Sequence, residues 1–410
     1  MTTAAATTTI SAGTGEAVSQ GPPSESGIEL SVVMPCLNEA DTLAACIGKA
    51  TGALRLHGIS GEIIVADNGS TDGSQQIGAG LGARVVDVAE KGYGNALMGG
   101  IAAARGRFVL MGDADDSYDF SEIPAFLQKL REGWELVQGC RLPAGGGKIM
   151  PGAMPFLHRW WGNPMFSRLG RGWFGAPIHD IYCGMRGFTR ELSQRLDQRC
   201  TGMEFATEMI IKSSLYRVRM TEVPITLWPD GRKAHAPHLK TFRDGWRTLR
   251  FFLMYSPRWL FVMPGLLLMM LGLLGYALAL PGTKIGHVRF DAHTLLFASL
   301  AILMGYQAIM IGVFTKKFAE SEGRMPADWR LAWLGRFITL ERGIVLGAIT
   351  LAAGLCLLAV AVNQWMRVGF GNLEYARTMR WVIPGATLTA VGFQTILSSF
   401  FVSILGMKRK

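Results

Sequence analysis

Phe108-Val109-Leu110-Met111-Gly112-Asp113-Ala114-Asp115-Asp116 is the stretch that decides the fold class. Four apolar residues give way at once to a glycine and then to three carboxylates. A strand covered on both faces carries little charge, so charge that starts abruptly marks the edge of a buried sheet. Asp113 and Asp115 are two residues apart, and on extended backbone they point the same way. Two hard oxygen ligands suit Mg²⁺ or Mn²⁺, with phosphate and water completing the shell. A solvated acidic turn is the plainer alternative.

Similar β-rich runs lie around this stretch, at 30–34, 62–66, 84–88, 107–111 and 136–138. Helix-like stretches near 39–56, 73–81, 94–105 and 121–132 separate them. Such alternation predicts an α/β domain with a mostly parallel sheet. Ligands on such sheets sit at the carboxyl ends of the strands. The first run leads into Pro35-Cys36-Leu37-Asn38-Glu39, and the second into Asp67-Asn68-Gly69-Ser70-Thr71-Asp72. An Asp at a strand end can accept from a nucleobase N–H or a ribose hydroxyl. Asn68 and Asp72 could equally serve as turn or helix caps. Two such ends on one edge favour a nucleotide. Glu90-Lys91-Gly92-Tyr93-Gly94-Asn95-Ala96 is glycine-rich and starts a helix, but it matches neither GxxxxGK[ST] nor GxGxxG. It offers Lys91 and backbone N–H groups to an anion.

The rest of the chain points to a membrane. Of 410 residues 49% are apolar and 18% charged, which excludes disorder over most of the length and argues against a wholly soluble protein. Six cysteines without a CxxC pair argue against a zinc finger or a disulfide scaffold. Residues 1–27 lack Lys, Arg and a long apolar run, so they read as a disordered cytosolic tail, not a secretory signal. Apolar stretches at about 260–280, 293–314, 343–362 and 381–406 each approach the ~20 residues that cross a bilayer. The links at 281–292 and 363–380 hold two and three Lys/Arg, against six at 315–342. Four spans with both termini and the catalytic part in the cytoplasm follow from that imbalance.

Much of the net charge of +10 sits in 232–258, where seven Lys/Arg face one Asp. This stripe abuts a span, which favours lipid over nucleic acid as its partner. Phe242, Trp246, Leu249 and Leu253 recur at helical spacing beside Arg243, Arg247 and Arg250, the pattern of a helix lying in the membrane interface. Between 142 and 179, Phe156, Trp160, Trp161, Phe166, Trp173 and Phe174 are interspersed with basic residues. That mixture suits a membrane-proximal lid; a packed surface subdomain is the alternative.

PxxNE, DNGSTD, KGYGNA and DAD, in this order and spacing, resemble a family 2 glycosyltransferase of the GT-A fold. The polyprenyl-phosphate glycosyltransferases, such as dolichol-phosphate mannosyltransferases and dolichol-phosphate glucose synthases, are the more specific likeness. It continues in Gly139-Cys140-Arg141, in Asp180-Ile181-Tyr182-Cys183-Gly184-Met185-Arg186 and in 203–209, and covers about 30–258. It implies a GT-A catalytic domain at 28–235, to which the residue pattern adds an interfacial helix at 236–258 and an all-α transmembrane domain of four helices at 259–410. Pro35, Glu39 and Asp67 would hold the nucleoside, with Asn38, Asn68 and Lys91 beside them. Asp113 and Asp115 would bind Mg²⁺ or Mn²⁺ on the donor diphosphate. Arg141 and Arg186 would meet phosphates, and Asp180 is the candidate base. Arg232, Lys233, Arg243 and Arg247 are the candidates for the acceptor phosphate.

The implied reaction moves one sugar, with inversion, from a nucleotide-sugar to undecaprenyl or dolichyl phosphate; UDP-glucose, GDP-mannose and UDP-N-acetylhexosamine all suit these motifs, and family likeness favours a hexose from UDP-glucose or GDP-mannose. A phosphate monoester has a second pKa of ~6, so this acceptor needs little help from a base. That favours an orienting role for Asp180. A processive polysaccharide synthase is the nearest rival, because Arg377-Thr378-Met379-Arg380-Trp381 has the letters of a [QR]xxRW motif. Its place between the third and fourth spans argues against it. A non-catalytic nucleotide-sugar-binding scaffold is the other rival, and a homo-oligomer is left open.

Overall fold

The computed structural model describes residues 27–232, 241–323, 325–326 and 339–407, so all but the last residue of the expected tail lies outside it. Strands β1 (Leu30–Cys36), β2 (Gly61–Asp67), β3 (Arg84–Asp87), β4 (Phe108–Met111) and β5 (Leu136–Cys140) form where the β-rich runs predict them. A small pair, β6 (Lys148–Ile149) with β9 (Thr226–Leu227), stands apart from the main sheet. Two further strands, β7 (Arg186–Thr189) and β8 (Met220–Pro224), complete seven strands in the order β3-β2-β1-β4-β7-β5-β8. Only β7 runs against the others in this sheet.

Alternation along the strands builds two apolar faces. Leu30, Val32 and Met34 of β1 join one core with Leu43, Ile47 and Leu54 of α1 (Leu43–Leu56) and Phe126 and Leu130 of α4 (Ile123–Arg131). The other face of β1 meets α3 (Tyr93–Ala103). There a Cβ on Gly100 would lie 2.6 Å from Val33 and 2.9 Å from Ala66, so only glycine permits this approach. Helices α2 (Ser74–Gly80) and α6 (Arg190–Leu196) complete the connections. The register pairs Cys36 with Asp67, Met111 with Arg186 and Cys140 with Pro224. It therefore brings 37–39, 67–72, 112–117, Arg141 and the loop before β7 to one edge.

Among the described residues this α/β unit comprises 27–159, 178–206 and 219–232; the second unit comprises 160–177, 207–218 and the described part of 241–407. The second unit holds α5 (Asn163–Phe174), most of α7 (Glu204–Leu215) and α8 (Thr241–Tyr255). Phe166 and Phe174 of α5 meet the Phe252 ring of α8 edge-on at 5.9 and 5.5 Å. Trp173 stacks on Trp259 at 5.4 Å. Part of the aromatic richness of 142–179 is thus internal packing, while Trp160 and Trp161 are 61% and 68% exposed.

Four apolar helices long enough to cross a bilayer follow: α9 (Met263–Ala279) with the wide turn before it, α10 (Ala292–Ser321), α11 (Leu340–Arg367) and α12 (Tyr375–Gly406). A hairpin, β10 (Lys284–Ile285) with β11 (Val288–Arg289), joins α9 to α10. Each of the four carries a glycine pair seven residues apart: 265/272, 305/312, 347/354 and 385/392. Seven residues return to nearly the same helix face. In lipid, helices associate through close packing and hydrogen bonds, which small residues allow. Tyr276, Ser299 and Thr387 add a ring of hydroxyls joining α9, α10 and α12, at 2.6, 3.0 and 2.9 Å.

A Cβ at Gly354 would lie 2.5 Å from the Thr389 nitrogen and 2.7 Å from the Gly385 oxygen, backbone atoms that cannot swing aside. Gly354→Leu should therefore destabilise the α11–α12 pair by at least the ~1–3 kcal/mol of an overpacked core. Thermal unfolding in detergent would show it as a lowered Tm beside Leu355→Ala, a change at a side chain 51% exposed. Equal Tm values would contradict this packing.

Candidate active site

The acidic loop emerges from β4 as the sequence predicts. Asp113 Oδ1 accepts a 2.8 Å hydrogen bond from the Tyr93 hydroxyl. Asp115 Oδ1 accepts from the Ser117 amide and hydroxyl at 3.1 and 2.6 Å, and its Oδ2 lies 3.4 Å from Arg232. Asp116, in the left-handed region at φ 61°, pairs with Lys49 of α1 at 2.7 Å. Burial first, then the Asp115 charge, raises the Asp113 carboxyl to about 6. A cation bound by both carboxylates would relieve this like-charge repulsion. Among the described residues no third His, Cys, Asp or Glu converges with such a pair. The donor set fits a hard divalent ion that takes its remaining oxygens from a diphosphate and water.

Beside this loop lies the edge expected to hold the nucleoside. Pro35 is buried in β1, two residues beyond the last pairing with β4 at Val33 and Met111. Asn38 adopts φ 60° and joins two loops: its amide donates to Ser70 at 2.9 Å, and its side-chain oxygen accepts from the Thr71 amide at 2.8 Å. Asp67 has no exposed surface and accepts from the Gly69 amide at 3.0 Å and from Gln75 at 2.6 Å. Burial opposes its charge, but hydrogen bonds from Ser70, Gln75 and the loop amides hold its carboxyl below the usual range. Asp67 thus shapes the loop 69–75. Asn68 donates to the Val88 and Glu90 carbonyls at 3.0 and 2.7 Å.

The KGYGNA segment differs from its sequence reading. Gly92 N–H donates to Asn68 Oδ1 at 2.8 Å, and Gly94 N–H to Thr201 O at 2.9 Å. Lys91 donates to the Asn68 carbonyl. These amides are already engaged, so they do not form an open anion cradle. Its glycines answer a steric demand: a Cβ on Gly92 or Gly94 would lie 2.4 or 2.2 Å from the carbonyl oxygen of Thr201 or Cys200.

Asp180 is fully buried and gripped by Arg141, whose Nε and Nη2 donate at 2.7 and 3.0 Å and whose amide donates at 3.1 Å. Burial works against the Arg141 charge, yet Asp180 holds its pKa well above the usual arginine value. The Asp180 amide donates to Glu222 of β8 at 3.0 Å, and Glu222 also meets His179 Nδ1 at 2.7 Å. Neither His179 nor Glu222 carries a motif by which the sequence could reveal it.

Arg186 was expected at a phosphate and stands elsewhere. It has no exposed surface, and its Nη1 and Nη2 donate to the Ala206 and Cys183 carbonyls, each at 2.7 Å. Burial lowers its pKa. It ties the loop before β7 to the start of α7. Arg232 is also engaged: it bonds Glu39 at 2.8 Å and Asp230 at 3.1 Å besides facing Asp115. Burial opposes its charge, but these carboxylates, Glu39 foremost, raise its pKa above the usual value. Arg232 and Glu39 thus join the acidic loop to the first strand's edge. Lys233 lies outside the described residues, and of Arg243 only the backbone is described. Arg247 sits on α8, in the second unit.

Residues 31–197 match glycosyl transferase family 2, and residues 313–406 match the glycosyltransferase family 2 C-terminal transmembrane region. The chain is 37% identical over 378 residues to the low-salt glycan biosynthesis hexosyltransferase Agl6 of Haloferax volcanii, covering 92% of this chain and 89% of that protein. It is 31% identical over 218 residues to a dolichyl-phosphate hexose transferase of the same organism, covering 53% of this chain and 89% of that one. Glucosyl-3-phosphoglycerate synthase from Mycobacterium tuberculosis is similar in structure at TM-score 0.42 and 22% identity, over 57% of this chain and 80% of that one. With a GT-A-like α/β domain and four apolar helices after it, the chain belongs to glycosyltransferase family 2 and is a membrane glycosyltransferase.

Proposed function

We propose that the protein moves one hexose, with inversion, from a nucleotide-diphosphate sugar to polyprenyl phosphate. One observation carries this reading. The paired carboxylates Asp113 and Asp115 share a strand edge with the buried Asp180–Arg141 pair, in a chain with four bilayer-length helices. A relative with a dolichyl-phosphate hexose transferase's name supports the lipid acceptor. UDP-glucose and GDP-mannose are the donors proposed, and undecaprenyl or dolichyl phosphate the acceptor.

Asp113 and Asp115 would hold Mg²⁺ or Mn²⁺, which supplies charge stabilisation to the departing diphosphate. The loops of Asn38–Glu39 and Asp67–Asn68 line the nucleoside's place. Asp180 has both oxygens engaged by Arg141, so its role is to fix that guanidinium. Since the acceptor is largely ionised above its pKa of ~6, the reaction needs alignment more than a base. Arg141 then serves the phosphates, and Lys233, Arg243 and Arg247 are assigned to the acceptor. The [QR]xxRW letters have a different explanation: Arg380 bonds Asp291, the residue capping α10, at 3.2 Å.

Both termini and the 315–342 link are assigned to the cytoplasm. A cysteine at Thr283 should react with an impermeant thiol reagent from outside, and one at Ser321 should not; the reverse pattern would refute the orientation. The function itself is tested by a screen of radiolabelled nucleotide-sugars with polyprenyl phosphate in detergent. Label should enter the organic phase with one donor. Label remaining aqueous with every donor would overturn the proposal.

A further inference from the structure

We infer that Tyr93 and Gly184 are positioning residues that hold the Asp113 carboxylate in the orientation used to bind the cation. The inference rests on the metal-binding reading of Asp113 and Asp115. Its basis is that both oxygens of Asp113 are bounded by anchored neighbours. On one side, the Tyr93 hydroxyl donates to Oδ1 at 2.8 Å. Tyr93 opens α3, and the flanking backbone is pinned: Gly92 N–H donates to Asn68 at 2.8 Å and Gly94 N–H to Thr201 O at 2.9 Å. The backbone that carries the phenol is therefore fixed on both sides of Tyr93.

On the other side the controlling feature is a missing side chain. A Cβ on Gly184 would lie 2.6 Å from Asp113 Oδ2 and 3.2 Å from the Tyr118 ring. Real Cβ atoms do not approach an oxygen so closely, so the carboxylate or the glycine would have to move. Gly184 is not free to move. Its amide donates to the Tyr118 hydroxyl at 2.8 Å, the next residue's carbonyl accepts from Gly139 at 3.0 Å, and Arg186 then pairs with Met111 of β4. The carboxylate must yield. The φ of Gly184 lies outside the left-handed region, so alanine there alters space and not backbone preference.

Groups that orient a metal ligand typically change metal affinity by about 10–100-fold when removed. The test uses the full-length protein in detergent and Mn²⁺ alone, with free Mn²⁺ read by electron paramagnetic resonance. Tyr93→Phe and Gly184→Ala should each weaken Mn²⁺ binding about 10-fold or more. The apparent KM for Mn²⁺ should rise in parallel, while KM for the nucleotide-sugar at saturating Mn²⁺ stays near wild type. Tyr93→Phe removes one oxygen and keeps the ring, so it remains informative if Gly184→Ala folds poorly. Asp113→Asn separates metal binding from carboxylate positioning. If it binds Mn²⁺ as wild type does, the metal-binding reading itself fails. If it loses binding while Tyr93→Phe and Gly184→Ala stay within twofold of wild type, only the positioning role is overturned.

Discussion

Arg141→Ala should abolish measurable transfer and destabilise the α/β unit by about 3–5 kcal/mol, the cost of leaving a buried charge without its partner. Asp180 has no exposed surface, and Arg141 supplies three of its hydrogen bonds. Arg141→Lys keeps the charge but loses the two-pronged grip, so it should recover stability better than activity. Asp180→Asn separates an orienting carboxylate from a base. An orienting group leaves the shape of the pH–rate profile unaltered while kcat falls. If Asp180 takes a proton, its loss alters the acidic limb of that profile, leaving there the ionisation of Asp113 and of the acceptor phosphate. Thermal unfolding and a pH series on these three variants decide the matter.

Asp115→Asn should lower transfer at least ~100-fold, the effect expected of a group that stabilises charge developing in the transition state. Asp115 has one oxygen fixed by Ser117 and the other facing Arg232. Asparagine preserves size and the Ser117 contact, so the loss reports charge and not collapse of the loop. Excess EDTA should have an equal effect on the wild type and little further effect on Asp115→Asn. Full activity in EDTA, or in the Asp113→Asn/Asp115→Asn double variant, would remove the divalent ion from the account.

The parts of this protein that were legible in its sequence are those written locally. The jump from Phe108–Met111 to Gly112–Asp115 marks both a buried strand and its exposed end, because charge is excluded from one and welcome at the other. The four apolar helices are legible for the same reason: length and hydropathy are local quantities. The illegible parts depend on distant partners. β7 is four residues with an Arg and a Gly, and it becomes a strand by fitting antiparallel between β4 and β5. Arg186 looks like a phosphate ligand until the carbonyls of Cys183 and Ala206 surround it. The glycines of KGYGNA suggest an anion cradle, whereas their cause is backbone more than a hundred residues further along the chain. Arg232 reads as part of a basic stripe, but its nearest carboxylate belongs to Glu39.

The central claim is that a single hexose is placed on a lipid phosphate. Mass spectrometry of the lipid extract measures it most directly, after incubating the purified protein with the nucleotide-sugar chosen by the screen, a divalent cation and polyprenyl phosphate. One product is expected, heavier than the acceptor by one hexose whatever the incubation time, and none with the Asp113→Asn/Asp115→Asn double variant. A ladder of longer saccharides, or an unmodified lipid while the nucleotide is released, would contradict it.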